Sequence, residues 1–428
     1  LHNNDTHKNS EKKHHLLLAA TAAFCTYFCM YAFRKPFSAG TFEGKELFEL
    51  NLKTLLVLSQ LAGYTVSKFI GIKVVSEMNR NYRAAAIICL IAFAELALVG
   101  FAYAPPTLKV FCMFLNGLPL GMIFGFVLSY LEGRKQTEAL AAALCASFII
   151  SSGVVKSIGQ WLINSQGVSE FQMPMTVGLI FFLPLLASVW FLQKTPPPNA
   201  KDIELRTARL EMSRHDRLRF FMQYWRGLSL VLLVYILLSI IRTIRDDFGV
   251  EIWQDMGVSK KPAVFATSET YVGVIVTLIN AIAILFRSNF AAIRFTFLMM
   301  CASFLMITTT TALQLFGHIS PFAFMVVCGV GLYIPYVAFH TTLFERIISI
   351  SRTPANLGFL MYLADSIGYL FYAAVLTFQK LNTKDLTVLP LFRFSLFAGS
   401  AISIVALISA MIYFQKKFES EFGDVRAQ

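Results

Sequence analysis

Residues 26–37 read TYFCMYAFRKPF, and the rest of the chain takes its meaning from this stretch. It opens as an apolar run of membrane grade, then sets Arg34, Lys35 and Pro36 where lipid-facing side chains belong. Uncharged residues continue from Pro36 through Phe42, and Glu43 is the first acid beyond them. A helix carried to that point puts Arg34 about 8 residues inside its end, about 12 Å at 1.5 Å per residue. A guanidinium at that depth costs several kcal/mol unless it faces a partner or a watered cavity. The alternative is an arginine that snorkels to the interface.

Working outward, the 428 residues are 56% hydrophobic and 14% charged, against about 25% charged in a soluble domain. A polytopic membrane protein follows. Runs long enough to cross a bilayer lie at 16–42, 52–75, 84–103, 107–131, 138–163 and 172–193. Six more lie at 228–247, 263–286, 291–315, 321–344, 356–378 and 392–414. The polar, basic segment 194–226, with prolines at 196, 197 and 198, separates the two sets. The expected layout is a tail (1–15), a six-helix half (16–193), a linker (194–227), a second six-helix half (228–415) and a tail (416–428). Two repeated halves place a binding site between them at mid-membrane depth.

The formal net charge of +12 does not mark a nucleic-acid surface, because its cations are spread over short loops. Arg80, Arg83, Arg134, Lys135, the linker cations, Arg294, Arg346, Arg352, Lys416 and Lys417 fall on one side. The other side is sparser, with Lys45, Lys53, Lys109, Lys260, Lys261 and Lys384 among its members. By the positive-inside rule the richer side and both termini are cytoplasmic, in an inner or plasma membrane. The seven cysteines all lie in apolar runs and read as small buried hydrophobes, not a disulfide or zinc framework. The long polar N-terminus lacks the pattern of a removable signal peptide.

Arg34, Lys68, Lys156, Arg242 and Arg245 sit within spans, against Glu95, Glu269 and Asp365, with Asp246 and Asp247 at the outer end of span seven. Arg34 and Arg242 occupy equivalent spans of the two halves. An electropositive interior suits an anion, and two guanidiniums suit a phosphate or carboxylate in fork geometry. Structural ion pairs or snorkelling are the other reading of these cations.

These residues resemble the major facilitator superfamily, and more narrowly its organophosphate:phosphate antiporters, the glycerol-3-phosphate and hexose-6-phosphate carriers. That family ends its first span in Tyr-x-x-x-Tyr-x-x-Arg-Lys-x-Phe, and Tyr27, Tyr31, Arg34, Lys35 and Phe37 keep the spacing. Tyr64, Ser67, Lys68, Phe69 and Ile70 are similar to its second-span motif; Arg242 and Asp247, and then Glu269 and Gly273, match spans seven and eight. Tyr333 and Tyr369 fall at similar positions on spans ten and eleven. The resemblance implies an all-α membrane protein of twelve transmembrane helices in two pseudo-symmetric halves. It implies that Arg34 and Arg242 grip the phosphoryl group, that Lys68 adds positive potential, and that Tyr27, Tyr31, Tyr64, Tyr333 and Tyr369 line the cavity. Lys35, Asp247 and Glu269 become salt bridges that break and reform as the halves rock.

The departures are specific. The family's fifth-span histidine has no counterpart near Ser147–Gly153, where Lys156 is the nearby cation. Its fourth-span Trp-Pro-Pro is replaced by Gly-Met-Ile-Phe-Gly-Phe at 121–126, and the loop between spans two and three keeps only an acid, Glu77, followed by Arg80 and Arg83. Those arginines are expected to latch helix ends. His340, Glu95 and Asp365 are candidate proton carriers, with hydrogen-bonded packing or pairing with a buried cation as the other readings. Lys156 and Arg245 are possible extra cations for the anion.

No nucleotide loop, metal motif or nucleophile–base spacing points to an enzyme, and no repeated filter segment points to a channel. The expectation is a secondary transporter of a small organic anion, a phosphorylated metabolite, exchanging it for inorganic phosphate or coupling it to protons. It is monomeric, embedded in the lipid bilayer, and needs no metal, cofactor or nucleic-acid partner. The alternative is a sensor on the same fold that binds a sugar phosphate without transporting it.

Overall fold

Each of the twelve apolar runs falls wholly or mainly on a helix in the computed structural model, which describes residues 2–47, 50–131, 137–196, 214–258, 261–284, 286, 288–351, 357–382 and 388–422. Helices α1 (His2–Tyr31), α2 (Leu52–Glu77), α3 (Arg80–Tyr103), α4 (Pro106–Leu131), α5 (Thr137–Gln166) and α6 (Met173–Gln193) carry the first six. The second six lie on α7 (Arg214–Asp247), α9 (Ala263–Ile284), α10 (Asn289–Leu315), α11 (Pro321–Ala338), α13 (Leu357–Asn382) and α14 (Val388–Phe422). Short helices α8 (Gly249–Asp255) and α12 (Phe344–Ser351) follow α7 and α11. Linker residues 197–213, the loop cations Arg134, Lys135, Lys260, Arg352 and Lys384, and the tail at 423–428 lie outside the described residues.

Nine of the described helices are long and apolar enough to cross a membrane, and Leu17–Tyr31 and Leu363–Phe378 are shorter apolar stretches. Helix α2 is equally long but carries Lys53, Lys68 and Lys73. Large apolar side chains point outward along the spans: Leu183 is 75% exposed, Leu96 68% and Val405 67%. In water such a surface would aggregate; in lipid it is the expected one, and the chain is an integral membrane protein.

The chain forms two compact units, Leu1–Arg206 with Lys260–Thr267, and Thr207–Ser259 with Ser268–Gln428. In the first, α1 packs on α4, α5 and α6, α2 on α4, and α3 on α4 and α6. In the second, α7 packs on α11, α13 and α14, and α10 on α11 and α14.

The α2–α4 contact is drawn close by glycines. A methyl group at Gly117 would lie 2.1 Å from the Gln60 carbonyl oxygen, and one at Gly63 2.1 Å from that of Phe114. Gly121 meets the Tyr64 carbonyl and Ser67 at 2.7 Å in the same way. Gly117 and Gly121 are four apart, so both lie on one face of α4, the spacing by which small residues let membrane helices approach.

The first span is not the continuous helix expected. Helix α1 ends at Tyr31, and 32–35 form a turn before a short 3-10 helix, Pro36–Ala39. The backbone tightens to three-residue hydrogen bonds, from Ala32 N to Cys29 O, Phe33 N to Met30 O and Arg34 N to Tyr31 O. Pro36 explains the break: it has no N–H to continue the ladder, and its ring disfavours a helix through the residue before it. Irregular backbone at membrane depth survives only when buried protein groups satisfy it. Here Asn116 Nδ2 donates to Phe33 O at 3.0 Å and Gln60 Nε2 to Arg34 O at 2.9 Å. Lys53 Nζ donates to Ser38 O at 3.1 Å and Gln160 Nε2 to Ala39 O at 2.6 Å.

Beyond the break, Phe42 is the one described non-glycine residue with positive φ, at 52°. It is fully buried against Phe101 and Phe171. Glu170, in the loop between α5 and α6, accepts from Thr41 N at 2.7 Å and Phe42 N at 2.9 Å and pairs with Lys45 at 3.4 Å. Burial pushes its carboxyl up, but the Phe42 and Thr41 N–H groups and Lys45 outweigh this and hold it below the usual carboxylate range. A depressed folded value gives stability that is full above the ordinary carboxylate value and lost as pH falls through the depressed one. Glu170→Gln is expected to cost about 1 to 2 kcal/mol at neutral pH, and to cost little in acid. Thermal unfolding of both proteins across pH, giving parallel curves, would contradict this.

The degenerate loop does latch helix ends. Arg80 Nη2 donates to Thr195 O past the end of α6, while Arg83 reaches Met78 O at 3.2 Å and Ser129 O at 3.4 Å.

Candidate anion-binding residues

In the first unit the break puts Arg34 beside α2. Its guanidinium carbon lies 3.9 Å from the centroid of the Tyr64 ring and 5.8 Å from that of Tyr31. Lys68 Nζ lies 5.3 Å from the same Tyr64 ring, one helical turn on. Tyr31 meets Tyr27 edge-on at 5.6 Å and stacks on Phe148 at 6.4 Å, and Tyr27 packs on Phe124 at 5.4 Å. Arg34, Lys68, Tyr27, Tyr31 and Tyr64 are therefore one cluster, brought together by the close α2–α4 contact and the turn at 32–35. Lys35, Lys68 and Lys156 are buried, the last on α5.

The second unit treats its two arginines differently. Arg245 forms a 2.8 Å ion pair with Glu269 and donates to Met325 O at 3.0 Å. A methyl group at Gly329 would meet the Arg245 guanidinium at 2.6 Å, so α11 is fitted around it. Expected as an extra cation for the anion, Arg245 sits as a neutralised internal strut, and Glu269, expected in a gate, is its partner.

Arg242 lies with aromatic rings. Its guanidinium carbon is 4.4 Å from the Tyr336 ring centroid, with a 3.4 Å contact to Thr243 Oγ1 and no hydrogen bond from Nε among the described residues. Tyr336, Tyr333, Tyr369 and the acidic Asp246 are its electrostatic neighbours. The Tyr372 hydroxyl donates to Asp247 Oδ2 at 3.0 Å, and the Tyr235 hydroxyl to Asp365. His340 Nδ1 donates to Tyr336 O at 2.8 Å, and the two rings lie 4.5 Å apart. This histidine lies in a π-helical turn, Phe339–Leu343, that follows Pro335 of α11. Such turns are frequent at functional sites.

Both units thus present an arginine face-on to a tyrosine within a larger aromatic group. Tyr336, three residues after Tyr333 on the same helix, is the ring nearest Arg242, and the sequence reading passed over it. It also passed over Asn116 and Gln60, although amides inside apolar runs are a legible sign of buried hydrogen bonding.

A family profile described as family of unknown function, DUF5690, matches residues 36–417. A search of curated proteins finds no match. Among solved structures, a D-xylose–proton symporter is similar at TM-score 0.59 and 14% identity, covering 92% of this chain and 96% of that one. An auto-inhibited peptide transporter of the POT family is similar at 0.58 and 13%, covering 94% and 97%. At these identities the likeness is one of fold, an all-helical membrane fold of the major facilitator kind.

Proposed function

The chain belongs to DUF5690, a family of unknown function, and we propose for it the role of a secondary transporter of a small organic anion. The observation that carries this is the environment of Arg242. It is buried on a membrane span with tyrosine rings as its first neighbours and Asp246 beyond them, whereas Arg245, one turn on, holds the carboxylate of Glu269 at 2.8 Å. A guanidinium kept in place by ring faces retains attraction for an oxyanion that an internal ion pair would quench. Arg34, over Tyr64 with Lys68 beside the same ring, sets two cations against a tyrosine in the first unit.

Phosphoryl groups suit this chemistry best, since an arginine fork meets two of their oxygens and tyrosine hydroxyls donate to the rest. A phosphorylated metabolite is the proposed substrate, with inorganic phosphate or protons as the coupling species. The orientation proposed is both termini cytoplasmic.

The test is counterflow in proteoliposomes loaded with labelled inorganic phosphate, sugar phosphates or carboxylates. Exchange inhibited by a phosphorylated compound is the expected result. Binding without flux would move the reading to a sensor, and neutral-sugar transport alone would end the anion reading.

A further inference from the structure

Glu95 is a membrane-embedded acid that the arginine–tyrosine clusters do not use. It lies on α3, 7% exposed, and neither carboxyl oxygen has a hydrogen-bond partner among the described residues. Its place is the α3–α6 contact. A methyl group at Gly178 of α6 would lie 2.1 Å from Glu95 Oε2, and the three nearest atoms to that position all belong to the Glu95 carboxyl. The absence of a side chain at Gly178 is what makes room for the acid.

No charge faces it. Helix α6, MPMTVGLIFFLPLLASVWFLQ, has no titratable side chain. On α4, the other helix against α3, the titratable groups are Lys109, Cys112 and Tyr130. Lys109 Nζ is bound to Phe101 O at 2.7 Å and Ala102 O at 3.1 Å, about two turns along α3 from Glu95. Cys112 Sγ lies against Gly100, and Tyr130 stacks under Arg80 at the opposite end of α3. Burying an ionised carboxylate without a counter-ion costs several kcal/mol, and none lies against Glu95 on these helices among the described residues.

The position also touches the Arg34 turn by two routes. Next to Glu95, the Ala94 carbonyl accepts from Asn116 Nδ2 at 3.1 Å. The same Asn116 amide donates to Phe33 O, and its Oδ1 accepts from Gln60 Nε2 at 2.7 Å, while Gln60 also holds Arg34 O. On the other side Phe182, one turn beyond Gly178 on α6, packs edge-on to Phe33 at 6.4 Å.

We infer that Glu95 is a proton-binding site, seated so that gain or loss of its proton shifts α3 against α6 and moves the turn that carries Arg34. Ionisation would draw water or a donor into the contact and open it. The Asn116 and Phe182 contacts pass that displacement to Phe33 and Arg34. The link to Arg34 rests on the anion reading; the proton site does not.

The test is infrared titration of the full chain in lipid, comparing wild type with Glu95→Gln, which keeps shape and removes the acid. A protonated-carboxyl carbonyl band at neutral pH, lost in alkali and missing from the variant, is expected. No wild-type band assignable to Glu95 at any pH overturns the proposal. Glu95→Asp, a shorter acid, guards against a folding defect in the glutamine variant, since it should keep a carboxyl band of altered frequency. Inorganic phosphate is the probe for the link. Affinity that depends on pH in wild type and less so in Glu95→Gln supports it, and the same dependence in both overturns it. A wild type that binds no phosphate fails the anion reading, and the infrared result alone then decides for or against the proton site.

Discussion

Gly117→Ala is expected to destabilise the first unit by about 3 kcal/mol, at the upper end of what overpacking costs. The added methyl group would lie 2.1 Å from the Gln60 carbonyl oxygen, which is backbone and cannot rotate away. Relief requires α2 and α4 to separate along their length. That separation would pull Gln60 and Asn116 apart, across a 2.7 Å bond, and unsettle the carbonyls of Phe33 and Arg34 that these amides hold. Each buried polar group left unmatched adds about 1 to 3 kcal/mol. Gly63→Ala is expected to behave alike, with its methyl 2.1 Å from Phe114 O. Gly100→Ala is the control, because it meets only the Cys112 sulfur at 3.0 Å and a side chain can yield. Thermal unfolding in detergent measures all three. Equal midpoints for Gly117→Ala and Gly100→Ala would show that the α2–α4 approach does not limit stability.

Arg242→Lys is expected to weaken binding of inorganic phosphate or a phosphorylated compound at least about tenfold, about 1.4 kcal/mol. Lysine keeps the charge but loses the planar face that rests on Tyr336 at 4.4 Å and the fork that meets two oxygens at once. Arg34→Lys is expected to show the same loss, through the 3.9 Å contact with Tyr64. Arg245→Lys separates the two roles. Arg245 is engaged by Glu269 and Met325 O, so its replacement should lower the unfolding midpoint while affinity measured on folded protein changes little. Calorimetric titration of purified protein decides between them. Unchanged affinity in both Arg34→Lys and Arg242→Lys would make these arginines structural.

The sequence by itself determined what depends on local composition. Apolar runs of membrane length give helices along most of their length, because lipid offers the backbone no partner. The Tyr-x-x-x-Tyr-x-x-Arg spacing was legible for a related reason. Residues three and four apart share a helix face, so Tyr27 and Tyr31 had to meet near the arginine that follows. Arg242 and Arg245, two basic residues one turn apart, were a candidate anion ligand and a possible extra cation in the sequence. Only packing assigned one to Glu269 and the other to Tyr336, since a partner is set by which helices lie alongside. The first run was expected as one helix through Pro36, and both the break there and what fills it, Gln60, Lys53, Asn116 and Gln160 on three other helices, came with the packing. Glu95 makes the same point most plainly. One acid in an apolar run reads alike whether it pairs or stands alone, and the bare backbone of Gly178, 83 residues away, gives it room without a partner. Chain position fixes which residues are helical, whereas the distances that set charge and hydrogen bonding exist only after the helices pack.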